Sequence, residues 1–201
     1  MSSQLNTPDL QLSSPDDINL SSLYPSFIQQ LDTLHWSPLP VIVDAVRFLT
    51  GDHCSEILDI GSGSGKFCLT GSFLRPDSTF YGVEQRENLV NEANGVKELL
   101  DRRNVVFFHK NFTQLDLRRF CGFYFYNPFF ENIPGADRID ERIDYSPALY
   151  QYYNLYLQKQ LDAMPTGTRI ATYCSLGYEI PSNYQCADAE TDDRLKFWIK
   201  T

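Results

Sequence analysis

Basic charge is scarce in this 201-residue chain: 17 Lys and Arg stand against 26 Asp and Glu, for a net charge of −9. Nucleic-acid binders draw most of their affinity from phosphate contacts and usually carry a basic stripe. The nearest approach here is Arg102, Arg103, Lys110, Arg118 and Arg119, interleaved with acids and spread over several elements. They read as a solvated face, and duplex nucleic acid is not the expected partner. Long apolar runs are also missing. No window nears the roughly 20 apolar residues of a membrane helix, and the first residues lack the basic start and apolar core of a secretory signal. The 5 cysteines, Cys54, Cys68, Cys121, Cys174 and Cys186, contain no C-x-x-C pair. They are expected to be free, largely buried thiols in a cytoplasmic protein. His35, His53 and His109 are isolated, and nothing suggests a metal.

What is present is an alternation. After a polar lead-in over 1–17, expected to be disordered, the chain reads as a single domain over 18–201. Residues 18–50 hold two helical patterns, "PSFIQQLDTLHW" and "PLPVIVDAVRFLTG". From about Ser55, short apolar runs ("EILDI", "STFYGVE", "NVVFFHK", "CGFYFYN", "TRIATYC") alternate with helical stretches at Ser64 to Leu74, Arg86 to Arg102 and Pro147 to Met164. Ser146 followed by Pro147 announces the last helix. The tail reads as two strands around a Thr-Asp-Asp turn, a hairpin rather than a crossover. Such a pattern predicts an α/β fold: a mostly parallel sheet with helices on both faces and an antiparallel C-terminal hairpin.

The stretch "ILDIGSGSGKF", Ile57 to Phe67, is built to meet a ligand. A Walker phosphate loop is excluded, because Gly61 and Gly65 are one residue too close and Phe67 replaces the magnesium-binding hydroxyl. In a G-x-G-x-x-G dinucleotide loop the third glycine would fall on Lys66. The chain has instead Asp59, Gly61, Gly63 and Gly65 in alternation around Ser62. A compact loop above an acid suits a ligand with a cationic amino group and no pyrophosphate, and S-adenosylmethionine (SAM) is one. Ligands of open α/β sheets sit beyond the carboxyl ends of the strands. Candidates at those ends are Glu84, with Gln85 beside it, as ribose acceptor, Asn111 and Phe112 as adenine contacts, and Asn127-Pro128 beside the methyl.

On these motifs, Trp36 to Thr201 resembles a class I SAM-dependent methyltransferase: "LDIGSGSG" as glycine loop, "GVE" as ribose acid, "KNF" as adenine contact, "YNPFF" as the motif beside the methyl. The resemblance implies a Rossmann-like three-layer sandwich with a seven-stranded sheet and a reversed final hairpin, its cofactor-binding core spanning 55–201. Asn111 departs from the family's frequent Asp. The segment order is also similar, more faintly, to the histone-lysine methyltransferases that lack a SET domain. "NPFF" is similar to the N-P-P-[YF] motif of nitrogen methylating enzymes, with Phe129 in place of the second proline.

The expected activity is therefore methyl transfer from SAM to a nitrogen, on a protein lysine or another amine. The alternatives are a small-molecule acceptor and a SAM-binding module without catalysis. Asn127 and the backbone near Pro128 are expected to orient the acceptor, with Phe129 and Phe130 as walls favouring a cationic product. Ser37 is expected at either a helix start or the methionine carboxylate, and Lys66 as a solvated first-turn residue. Tyr153 and Tyr156 read as core. Tyr150 and Tyr152 are offered a substrate groove or dimer contact, and Gly135 to Asp144 is either a lid or a solvated loop.

Overall fold

The computed structural model describes residues 20–31, 36–51, 54–189 and 194–201. The lead-in, His35, His53 and the Thr191–Asp193 turn lie outside these residues. The strands are β1 (Glu56–Ile60), β2 (Thr79–Glu84), β3 (Val105–His109), β4 (Gly122–Tyr126), β5 (Arg169–Tyr173), β6 (Tyr184–Ala189) and β7 (Leu195–Lys200). They form one 7-stranded sheet in the order β3-β2-β1-β4-β5-β7-β6. The neighbours among β1 to β5 pair in parallel, while β7 runs antiparallel to both β5 and β6. Both the expected α/β class and the reversed tail are realised. Among the described residues no helix is long and apolar enough to cross a membrane.

Alternation along each strand divides the core. Leu58, Tyr81, Phe123 and Ile170 point to one face, where α5 (Pro147–Asp162) buries Tyr153, Leu157 and Leu161 against them. Ile57, Phe80, Tyr124 and Ala171 point to the other, under α2 (Leu39–Leu49) and α3 (Lys66–Leu74). The four-residue spacing of the buried α5 positions is one stripe of a helix. Ser146 caps α5, its hydroxyl accepting from the Leu149 amide at 3.1 Å. Strands buried on both faces explain why the apolar runs of β1 and β4 are nearly continuous.

The N-terminal cover departs from expectation. Its first helix is a single turn, α1 (Ser26–Gln29), not a helix reaching Trp36. Tyr24, Ile28 and Trp36 instead pack on Leu69 of α3 and on Leu89 and Val96 of α4 (Glu87–Leu99). A second departure concerns the cysteines. Cys54 and Cys121 form a disulfide, with Cα atoms 5.5 Å apart, so they are not free thiols. They immediately precede the N-terminal edges of β1 and β4, which pair side by side. That adjacency spans 67 residues and is set by topology, which spacing could not reveal. Cys68, Cys174 and Cys186 take no part in this bridge.

Candidate functional site

The glycine loop leaves β1 at Ile60 and is laid across the end of β2: the Gly61 and Ser62 amides both donate to the Val83 carbonyl, at 2.9 and 3.1 Å. Gly65 then sits at φ +87 as the left-handed N-cap of α3, and a Cβ there would lie 2.4 Å from the Phe107 ring. Only glycine meets both demands. The turn delays the helix, which begins at Lys66 rather than Ser64. Tyr24 pins the cover to this loop by donating to the Ser64 carbonyl at 2.7 Å.

Beside the loop lies a cavity of about 340 Å³, within the roughly 300–1,000 Å³ usual for small-molecule sites. Asp59, Ser62, Ser64, Lys66 and Glu84 all line it. Asp59 is 4% exposed, and the thiol of Cys68 approaches its carboxylate at 3.9 Å. Burial, and then the charge of Glu84, push the Asp59 pKa well up. Glu84 is differently served. Its Oε1 accepts from the Gln85 and Arg86 amides at 2.8 and 2.9 Å and from the Arg86 guanidinium at 3.4 Å. Among the described residues its Oε2 accepts only the Gly63 amide, at 3.2 Å. A carboxylate oxygen offers about two lone pairs, so Oε2 is the atom left to meet a hydroxyl.

Two further features mark a polar ligand. Among the described residues the buried hydroxyls of Ser62 and Ser64 have no hydrogen-bond partner, an arrangement that normally costs about 1–3 kcal/mol per group. Lys66 is not merely solvated: it lines the cavity, with Nζ 4.9 Å from the centre of the Trp36 ring. The donor set fits SAM. Asp59 suits its ammonium, Lys66 with the two serines its carboxylate, and Glu84 Oε2 a ribose hydroxyl.

On the side of β4 and β5 the cavity is lined by Tyr126, Asn127, Pro128, Phe130 and Cys174. Asn127 and Cys174 follow β4 and β5 directly, and both are non-glycine residues in the left-handed region, at φ +40 and +53. Strained backbone of this kind concentrates at functional sites. Gly61 touches this turn, since a Cβ on it would stand 3.1 Å from the Cβ of Pro128.

The predicted residues divide. Asp59, Gly61, Ser62, Gly63, Glu84, Asn127, Pro128, Phe130 and Ser37 all line the large cavity, but Ser37 spends its hydroxyl on the buried Tyr124 phenol. Gly65 sits one step back, shaping the loop. Phe129 is buried in a ring cluster with Phe112 and Tyr153, so it is core rather than a wall of this cavity. Gln85, Phe112 and Phe129 line a separate space of about 40 Å³ behind Pro128. Asn111 lines neither. Its amide nitrogen donates to Gln85 at 2.9 Å and to the Tyr153 phenol at 2.8 Å, while its oxygen caps Thr113. Sequence reasoning missed Trp36, Lys66 and Cys174 as lining residues, and it missed Arg86, which bonds to Glu84. The only sequence signal for the last was an arginine two residues after the strand-end acid; its burial appears in the fold alone.

Residues 54–121 match the family model described as "Putative methyltransferase". Over 54 residues the chain is 48% identical to a tRNA (guanine-N(7)-)-methyltransferase of Synechococcus sp. (strain JA-3-3Ab), covering 27% of this chain and 23% of that protein. A relative of the same description from strain JA-2-3B'a(2-13) is 46% identical over 54 residues. The chain thus spans less than a quarter of the length of these curated relatives. Among solved structures, an RNA methyltransferase from Salinibacter ruber in complex with S-adenosyl-L-homocysteine superposes with a TM-score of 0.54 at 19% identity, covering 83% of this chain and 92% of that one. TrmN from Thermus thermophilus reaches 0.61 at 19% identity, covering 88% and 52%. The fainter likeness to non-SET histone-lysine methyltransferases gains no support from these matches. Sheet order and the likeness to these solved structures give this chain the Rossmann-like fold of the class I SAM-dependent methyltransferases, and its segment 54–121 carries the match to the methyltransferase family model.

Proposed function

We propose that the chain transfers a methyl group from SAM to a nitrogen of an acceptor that enters over Asn127 and Pro128. The observation that carries this reading is a single cavity shared by Asp59, Lys66 and Glu84 on one side and the Asn127–Pro128 turn on the other. SAM supplies a methyl already activated by its sulfonium. The chain's own task is positioning, which is worth on the order of 7–11 kcal/mol in well-aligned reactions. The Asn127 side chain makes no hydrogen bond with the described residues, although its backbone carbonyl accepts from Phe130 at 3.2 Å. Its amide oxygen is therefore available to hold an acceptor N–H and direct the lone pair at the methyl. Tyr126 and the exposed Phe130 offer ring faces for a flat acceptor or a cationic product.

RNA is the acceptor class to test first. The local identity to two tRNA (guanine-N(7)-)-methyltransferases supports it, as does an aromatic lining on which a base can stack. A second reading, an amine on a basic protein, is favoured by one observation: Asp59, Glu84, Glu131 and Asp137 line the cavity against Lys66. Incubation with methyl-tritiated SAM and, separately, unfractionated tRNA, histones and small amines tests both. Label in tRNA that is lost with Asn127→Ala supports the first reading, and label in histones alone would replace it with the second. If SAM binds and no class is labelled, the catalytic reading fails and a binding module remains.

A further inference from the structure

Arg86 carries a side-chain network that the cofactor reading leaves unused. It is 4% exposed, and its guanidinium reaches three carboxylates and a phenol. Nη1 meets Glu84 Oε1 at 3.4 Å, Nη2 meets both oxygens of Glu131 at 2.7 Å, Nε meets Asp140 Oδ1 at 3.1 Å, and Nη2 also meets the Tyr145 phenol at 2.6 Å. Glu131, Asp140 and Tyr145 all belong to the connection between β4 and α5. That connection is knit further by the Ile139 amide on Glu131 at 2.6 Å and the Tyr145 hydroxyl on the Asp140 carbonyl at 2.7 Å. Glu131, Asp137 and Ile139 face the large cavity. One guanidinium thus grips the carboxylate that faces the ribose and the strap that forms a wall of the same cavity.

We propose that Arg86 is a positioning residue that couples cofactor occupancy to docking of the 131–145 strap. This rests on the assignment of Glu84 to the ribose. The physical reason is the shared guanidinium. Its planar fork fixes Glu84 Oε1, which aims Oε2 at the cavity, and the same fork holds Glu131 and Asp140 in place. A hydroxyl bound at Oε2 stiffens Glu84, and Glu84 stiffens Arg86. The strap is then better held when the cofactor is present, and linkage requires that a docked strap tighten the cofactor in return. An Arg is needed because a lysine ammonium has no fork to span four partners. Burial by itself lowers the Arg86 pKa, but the bond to Glu131 and the charges of Glu84 and Glu131 more than offset it, so the guanidinium stays charged.

The test uses Asp140→Asn and Arg86→Lys in the full chain, with S-adenosylhomocysteine (SAH) as the probe. Asp140 does not line the cavity; its carboxylate meets Arg86 at 3.1 Å and, within the strap, the Arg142 amide at 3.0 Å, so a change there acts on the cofactor through Arg86 and the strap rather than by direct contact. Calorimetric titration is expected to show SAH affinity lowered about tenfold in both variants, within the roughly 5–150-fold range of such couplings. Hydrogen exchange of residues 131–145 is expected to slow on SAH binding in the parent and to respond little in the variants. A thermal melt of each variant confirms that it is folded. Parental SAH affinity in folded Asp140→Asn, with a strap whose exchange ignores SAH in the parent, would overturn the coupling while leaving the cofactor site intact. Failure of the parent itself to bind SAH overturns the cofactor reading and the coupling with it.

Discussion

The carboxylate of Asp59 lies 3.9 Å from the thiol of Cys68 and, among the described residues, has no basic partner. An acid this buried is costly to ionise, and its pKa is raised accordingly. Because the folded state holds the proton more tightly than the unfolded state, stability should fall as pH rises from the unfolded value near 4 towards the folded one. Asp59→Asn removes that decline, so its unliganded melting temperature at pH 8 should equal or exceed the parent's. The same variant should lose SAM affinity at least tenfold if, as proposed, Asp59 pairs with the ammonium of SAM. A variant that melts lower and binds SAM normally would show Asp59 to be structural.

Lys66 and the buried hydroxyls of Ser62 and Ser64, which have no partner among the described residues, form the corner proposed for the methionine carboxylate. Charged hydrogen bonds contribute about 1.5–3 kcal/mol. Lys66→Met should therefore weaken SAM by about tenfold or more. Decarboxylated SAM, which lacks the group, should bind parent and variant alike. Equal losses for both ligands in competition calorimetry would move Lys66 out of this role.

Asn127 combines a left-handed backbone with an amide aimed at no described partner. Glycine accepts that φ without strain. Asn127→Gly should keep the melting temperature at or above the parent's and leave SAM affinity unchanged, while kcat drops about 100-fold, the scale of misplaced reactants. Single-turnover rates with an identified acceptor make the comparison. An unchanged rate would exclude Asn127 from orienting the acceptor.

The Cys54–Cys121 bridge closes a long loop at the N-terminal ends of the central strands β1 and β4, away from the cavity at their other ends. A cross-link of this kind typically stabilises by about 2–4 kcal/mol. Urea unfolding of Cys54→Ala should show a loss in that range, and reductant should lower the parent's midpoint but not the variant's. SAM affinity should be untouched by either. A midpoint insensitive to reductant would mean that the thiols do not pair in solution.

Much of the fold was legible because its signals are local. Apolar runs bounded by Gly, Asn and Pro announced the strands, Ser146-Pro147 the start of α5, and the spacing of Gly61, Gly63 and Gly65 a turn whose three glycines all take positive φ. The first helix was misjudged because "PSFIQQLDTLHW" has a helical pattern, but Trp36 finds its partners on Tyr24 and on α3 and α4 rather than along one helix face. Phe129 and Phe130 illustrate the same limit. They are adjacent and chemically identical, yet one is buried among Phe112 and Tyr153 and the other is exposed at the cavity.

By itself the sequence determined which residues could carry the chemistry: an acid beneath a glycine turn, a second acid ending β2, and Asn-Pro ending β4. Those choices are written in covalent order, since each depends on residues a few positions apart and on the period of the element holding them. Only the tertiary structure decided which of them share a cavity, which hydroxyls lack a partner among the described residues, and that Arg86 grips Glu84 and the strap together. The reason is that burial and pairing belong to contacts between segments distant in sequence. Cys54 and Cys121, 67 residues apart, meet only because β1 and β4 are neighbours in the sheet.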